Sequence, residues 1–296
     1  MLGQALVRSA PSSFRGRAIP WGDPDSAIAA LRASAMEFGN SIGARRWQVL
    51  WAAGAAVVAT DDVAASAEFD VFRSALTAIR DELPRRRGAF FLASSAGGVY
   101  AGAYPPPFSE LSRPVPVSPY GALKMAQEEA AHEILGDHAR IVIGRFSNLY
   151  GPGQNLRKPQ GLISRLCLAS LTRQTTNLYV PLETIRDYLY VDDAAQLTWA
   201  TMRTARDGDL GDPVLRVLGS GEHATVAQII DLINRVSHRS LLLSLGVHES
   251  GAHQARDLRT QSEYSKEHSR VVRTTLLVGI SRVLRRTAML VQRADI

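Results

Sequence analysis

The chain has 296 residues, 46% of them hydrophobic and 21% charged, with 34 basic against 28 acidic side chains. That length suits one large domain or two modest ones with a substantial core, and mean hydropathy near zero with ordinary charge content excludes a disordered or low-complexity chain. The longest uncharged apolar run, 49–60, is far too short to span a membrane, and the single cysteine, Cys167, excludes an internal disulfide and fits a reducing cytoplasm.

In chain order, MLGQALVR opens as a helix with no long apolar stretch of a secretory leader. Three short continuous apolar runs follow, Trp47–Ala53, Ala89–Ala93 and Arg140–Ile143, each succeeded by Gly, Ser or Asn. Continuous rather than alternating runs predict strands buried on both faces, as in a parallel sheet. Helical patterns separate them at Phe69–Leu83 and Pro119–Leu135, the second with Ser118 as N-cap and Pro119 at the first helical position. Strand and helix in this rhythm predict a doubly wound α/β domain over 1–150. After a Gly/Pro/Asn/Lys loop at Gly151–Gln160, a helix at Leu162–Leu171, a strand at Leu215–Leu218 and a Thr225-capped helix at Ala224–Val236 predict a smaller lobe over 151–296. That lobe is interleaved with the end of the sheet. The apolar spacing of Val272, Leu276, Ile280, Val283 and Leu284 predicts a C-terminal helix packed on it.

The net charge of +6 sits almost entirely in residues 256–296, which hold nine basic and four acidic side chains. With no zinc-finger, RRM or KH pattern, the tail reads as a solvated or diphosphate-facing surface rather than a nucleic-acid or membrane site. His132, His138, His223 and His253 lack metal-ligand spacing with carboxylates or Cys167, so no metal is expected.

Tyr120 and Lys124 stand at i,i+4 in the predicted helix 119–135, so both face one side one turn apart. An ammonium beside a phenol favours phenolate, so the tyrosine pKa is expected to fall from about 10 toward a range useful for proton transfer. The plainer reading of this pair is an amphipathic surface helix. The second strand runs into Ser94-Ser95-Ala96-Gly97-Gly98-Val99-Tyr100, at the strand end where open α/β sheets bind ligands. Here the plainer alternative is a Ser/Gly turn. The third strand leads into Arg145-Phe146-Ser147-Asn148-Leu149-Tyr150-Gly151, and Arg186-Asp187-Tyr188 follows later.

In this order and spacing these segments resemble the NAD-dependent epimerase/dehydratase family, the extended short-chain dehydrogenases acting mainly on nucleotide sugars. The resemblance runs from about Gly3 to Val236. It implies an acid/base role for Tyr120, a role for Lys124 in holding the nicotinamide ribose and tuning Tyr120, and orientation of the reacting oxygen by Ser95, or by Ser94 if the turn is one residue longer. It further implies that Phe146 flanks the nicotinamide, that Ala53-Gly54 passes beside the cofactor, and that Asn148 and Arg186 meet the substrate diphosphate. The alternative for Arg186 is a local ion pair with Asp187. Dehydratases of this family carry an Asp-Glu pair before the Val-Tyr of the serine turn. Gly97 and Gly98 stand there, which disfavours water elimination and leaves epimerisation or simple oxidoreduction. A homodimer is also implied.

The family's glycine-rich phosphate loop, G-x-x-G-x-x-G after a first strand, does not occur in this sequence. Gly3 reads as its last glycine, so the expectation is a start lacking about a dozen residues, one strand and two glycines, with neighbouring strands left short of partners. Asp23, read as the acidic residue ending the second strand, tilts the cofactor toward NAD, with Arg15 and Arg17 leaving NADP open. The competing functional class is a non-catalytic binding or regulatory protein that kept the fold without its cofactor loop.

Overall fold

A computed structural model describes residues 1–57, 60–156, 160–205, 210–246 and 255–293. The first half runs α1 (Leu2–Ser9), α2 (Pro24–Ile42), β1 (Trp47–Trp51), α3 (Asp62–Glu82), β2 (Gly88–Ser95), α4 (Ala96–Val99), α5 (Pro119–Leu135) and β3 (Arg140–Phe146). Then come β4 (Asn148–Tyr150), α6 (Leu162–Thr172), β5 (Thr176–Leu178), β6 (Ile185–Tyr190), α7 (Val191–Ala205) and β7 (Val214–Leu218). Next are β8 (His223–Thr225), α8 (Val226–Ser237), β9 (Leu243–Leu245) and β10 (Asp257–Leu258), and a C-terminal helix spans Leu276–Gln292.

The main sheet has the order β1-β2-β3-β7 and all its pairs are parallel. Its continuous apolar strands are covered on both faces. One face packs Phe91, Val142 and Phe146 against α1 and α7 through Leu6 and Leu197, and the other packs Phe90, Ile141 and Trp51 against α3 and α5 through Phe72, Leu76 and Leu135. Truncating a side chain as buried as Phe72 or Phe90 costs about 3–5 kcal/mol. A second sheet, β10-β6-β4 with β8 antiparallel to β6, lies with α6, α8 and the C-terminal helix over a third core of Tyr150, Leu166, Tyr188, Ile229, Ile280 and Val283.

The helix starts follow from side chains that accept otherwise unbonded amides. Asp61 accepts from Ala64 N at 2.8 Å, Ser118 from Gly121 N at 3.2 Å with Pro119 behind it, and Thr225 exchanges bonds with Gln228 in a capping box. The strand expected to end at Asp23 does not form among the described residues. Residues 10–20 take no regular structure, and Asp23 is instead the N-cap of α2, accepting from Ser26 N ahead of Pro24. His253 and residues 157–159 of the expected loop lie outside the described residues.

β1 is one edge of the main sheet, without a strand partner on its outer side among the described residues, yet its sequence, WQVLW, has none of the charges or prolines that blunt ordinary edges. Its outer side faces a cavity of about 1380 Å³, whose walls include Gly3, Leu6, Trp21, Phe38, Val49 and Trp199. α1 packs chiefly on α7 and α2 chiefly on α3, so the two helices overhang this space on opposite sides of the sheet.

Candidate active site

β2 and β3 end together, with Ser95 opposite Phe146 and Ser94 opposite Arg145 in the ladder. The alternation of a strand sends the two serines different ways. Ser95 caps the short helix α4, its Oγ accepting from Gly98 N at 3.1 Å, and it lies near enough to Tyr120 for its hydroxyl to act on the phenol. Ser94 is buried behind it and donates to Glu128 Oε1 at 2.5 Å. Of the two candidates, Ser95 is the one brought to Tyr120.

Lys124 lies on the same helix face, with Nζ 5.7 Å from the centre of the Tyr120 ring. Nζ donates to Gln127 Oε1 at 2.9 Å. The expected fall in the tyrosine pKa is not what the geometry gives. Burial raises the Tyr120 phenol, the nearby Ser95 hydroxyl works against that, and the charge of Glu68 adds to it. Burial likewise lowers Lys124, opposed by Glu68 and Glu128. Helical spacing supplies the neighbour, but the depth of the site decides the sign.

Behind Ser94 stands a buried network that sequence reading missed. Arg145 on β3 grips Glu128 on α5, Nη2 to Oε2 at 2.6 Å and Nε to Oε1 at 3.0 Å, and also donates to the Tyr100 hydroxyl at 2.7 Å. Tyr100 in turn donates to Ser109 O. The network ties α5, which carries Tyr120 and Lys124, to the strand end beside Ser95. The glycines of the serine turn are steric necessities in part. A Cβ on Gly98 would sit 3.0 Å from Tyr120 Cε1, and one on Gly121 would collide with Gly98 O. Gly97 is roomier, its nearest neighbours being Asn148 Oδ1 and Leu258 Cδ1 at 3.8 Å.

On the side assigned to substrate, Asn148 begins β4 and faces Gly97. Arg186 is buried and spends its guanidinium on three main-chain carbonyls, those of Ile185, Arg256 and Ala255. It makes no ion pair with Asp187, contrary to the local-pair alternative. Asp187 is 1% exposed and accepts from Ser147 Oγ, Ser220 N and Oγ, Gly221 N and Thr260 Oγ1. Gly219–Gly221 therefore does form a turn after β7, and its amides serve Asp187.

On the side assigned to cofactor, Phe146 is buried at the end of β3 against Phe91, and Ala53 borders the cavity beyond β1. Gly54 has φ +148°, a conformation open to glycine, and a Cβ there would come 2.7 Å from Glu68 Oε1. Gly3 sits in the first turn of α1, borders the same cavity, and has open space where a Cβ would be. Asp23 is exposed, bonded within α2, and absent from the cavity wall, while Arg17 pairs with Glu37. The wall of that cavity does not include Ser95, Tyr120 or Lys124. Among the described residues, no helix is long and apolar enough to cross a membrane.

Residues 49–215 match the model of the NAD dependent epimerase/dehydratase family. Among curated proteins, the chain is 35% identical over 130 residues to a probable dTDP-glucose 4,6-dehydratase of Sinorhizobium fredii, covering 44% of this chain and 34% of that protein. It is 31% identical over 158 residues to the UDP-glucose 4-epimerase of Azospirillum brasilense, covering 49% and 45%. The chain spans less than half the length of the curated relatives it matches. In fold it is similar to MoeE5 in complex with UDP-glucose and NAD, with TM-score 0.76 and 23% identity over 98% of this chain and 96% of that chain. It is also similar to the UDP-glucose 4-epimerase from Thermotoga maritima, with TM-score 0.70 and 20% identity over 82% and 78%.

Proposed function

The chain belongs to the NAD-dependent epimerase/dehydratase family, and on that premise we propose that it carries out NAD-linked oxidoreduction or epimerisation at a hydroxyl-bearing carbon of a nucleotide-linked sugar. The observation that carries this reading is the gathering of Ser95 and Tyr120 at the carboxyl end of a parallel sheet, with Lys124 one turn further along α5 and its Nζ 5.7 Å from the Tyr120 ring centre. Related proteins of known structure hold UDP-glucose and NAD, which supports the substrate class.

Two features support a dinucleotide. The open space at Gly3 leaves the N-terminus of α1 free to approach a diphosphate, and Tyr120, Lys124 and Phe146, near the carboxyl ends of β2 and β3, would hold the nicotinamide end. Bound NAD supplies the acceptor and donor of hydride. Tyr120 Oη takes the proton of the reacting sugar hydroxyl and returns it, while Ser95 Oγ orients that oxygen. Because burial holds the Tyr120 phenol protonated, the Lys124 ammonium has to favour the phenolate for the proton to leave at neutral pH. Asn148, beside the serine turn, is placed to meet the substrate. Arg186 contributes by fixing residues 255–256, since its guanidinium is already spent there. With glycines at 97 and 98, no carboxylate stands ready for dehydration on that turn. A homodimer, by family resemblance, completes the reading, and sedimentation equilibrium tests it.

The outer edge of β1 favours a second reading, a non-catalytic protein of the same fold. Titration calorimetry with NAD and NADP, followed by turnover assays on a panel of nucleotide sugars, separates the two. The enzyme reading expects NAD binding and turnover that Tyr120→Phe cuts by roughly 10²–10⁴-fold. Absence of both from the chain, with and without a strand added ahead of Met1, establishes the non-catalytic reading.

A further inference from the structure

Glu68 lies on α3, outside every motif that identifies the site, yet it reaches the carboxyl end of β1. One carboxylate oxygen, Oε2, accepts from two successive amides, Ala55 N at 2.7 Å and Ala56 N at 2.8 Å. The other, Oε1, is buried without a hydrogen-bond partner among the described residues. It lies 2.7 Å from where a Cβ at position 54 would be, and the φ of +148° there is one that glycine adopts readily. Two converging amides and a left-handed glycine form a small anion cradle, and the chain's own carboxylate fills it. We propose that Glu68 is a positioning residue of this site, its carboxylate fixing the Gly54–Ala56 turn beside the cofactor and supplying the counter-charge toward Lys124.

This rests on the reading of Tyr120 and Lys124 as the reacting pair. The charged and titratable groups around Lys124 are Glu68 from α3 and Tyr120 and Glu128 from its own helix α5. Glu128 is already neutralised by Arg145 from β3 at 2.6 Å and takes a further bond from Ser94. Gln127 accepts from the ammonium but carries no charge. That leaves Glu68 as the anion with no cationic partner of its own among the described residues. Its field acts in the same sense on both members of the pair, favouring the protonated ammonium and the protonated phenol. A neutral side chain at position 68 would leave the enclosed ammonium with less to oppose its desolvation.

The chain has three lysines, Lys124, Lys158 and Lys266, so side-chain ¹⁵N NMR resolves them without chemical modification, and Lys124→Arg identifies the Lys124 signal. Glu68→Gln keeps an acceptor for both amides while removing the charge. The expected result is a fall of the Lys124 titration midpoint by about half a unit or more, with the other two lysines unmoved and Glu68→Asp restoring most of it. A midpoint unchanged by Glu68→Gln overturns the counter-charge. The turn is tested in the unsubstituted protein by amide hydrogen exchange, since an amide held by a carboxylate opens less often. The Ala55 and Ala56 amides should exchange far more slowly than an unbonded amide, and free exchange of both overturns the proposal even if Glu68→Gln does not fold. Neither readout needs NAD or a sugar. Loss of NAD binding by the unsubstituted chain would sink the functional reading while leaving the role of Glu68 to be decided by these spectra.

Discussion

Glu128 on α5 and Arg145 on β3 meet in a two-pronged ion pair with both side chains less than a tenth exposed. Two charges so deeply placed are tolerable only together, because each alone would carry its full desolvation cost. Glu128→Ala or Arg145→Ala should therefore lose about 3–5 kcal/mol of stability in urea denaturation. Replacing both at once with apolar residues should cost clearly less than the two single losses combined. Additive losses would mean that the pair is not energetically coupled. Ser94→Ala, which removes one donor to the same carboxylate, should cost about 1–2 kcal/mol and leave Tyr120 in place.

Gly121→Ala tests the close approach of α4 to α5. The new Cβ would run into Gly98 O, so one helix has to shift. The expected loss is about 1–3 kcal/mol, with a larger proportional loss of turnover because Tyr120 is the preceding residue. An unchanged urea midpoint would show that the two segments can separate freely.

Acid should destabilise the fold in the histidine range. Burial holds His138 and His268 below the ordinary value of 6.5. Their folded pKa lies under the unfolded one, so the unfolded chain binds more protons as pH falls below about 6.5. The stability they contribute is present above that pH and lost as pH drops through the folded values. Urea midpoints measured between pH 7.5 and 5 should decline, and His268→Gln should flatten the decline. A slope indifferent to that substitution would assign the acid sensitivity elsewhere.

The outer edge of β1 makes a prediction about added chain. A segment ahead of Met1 encoding a five-residue apolar strand and a glycine-containing loop should lodge beside β1 in the cavity under α1 and α2. It should raise the urea midpoint and tighten NAD binding by on the order of tenfold, about 1.4 kcal/mol. The same segment with proline at alternate positions should do neither, because proline removes the ladder donors. Equal behaviour of the two extended chains would show that the cavity is not a strand's place.

Much of the scaffold was legible because its signals are local. Ser118-Pro119 marked the start of α5 to the residue, and continuous apolar runs marked β1, β2 and β3 as strands, β2 and β3 buried along most of their length and β1 only at its two tryptophans. Asp23-Pro24 carried an equally local signal, a cap followed by an N1 proline, and reading Asp23 as the end of a strand overrode it. Glu128 and Arg145 lie 17 residues apart on different elements, so only the packing of α5 on β3 makes them partners. Arg186 illustrates the same limit from the other side. An arginine in a ligand-side motif gives no sign in sequence that three carbonyls from its own strand and residues 255–256 will claim it. The pKa of Tyr120 followed from enclosure, which spacing along a helix does not encode.

Asp187 gathers bonds from residues 147, 220, 221 and 260, segments that enter and leave the two sheets. Mechanically, such a residue is a rivet. The crossings it fastens include Ser147, between β3 and β4, and the turn that follows β7, so the two sheets cannot swing apart there without breaking several bonds to one buried carboxylate at once. A chain with Asp187→Ala should therefore loosen the junction of the two sheets before it unfolds either sheet.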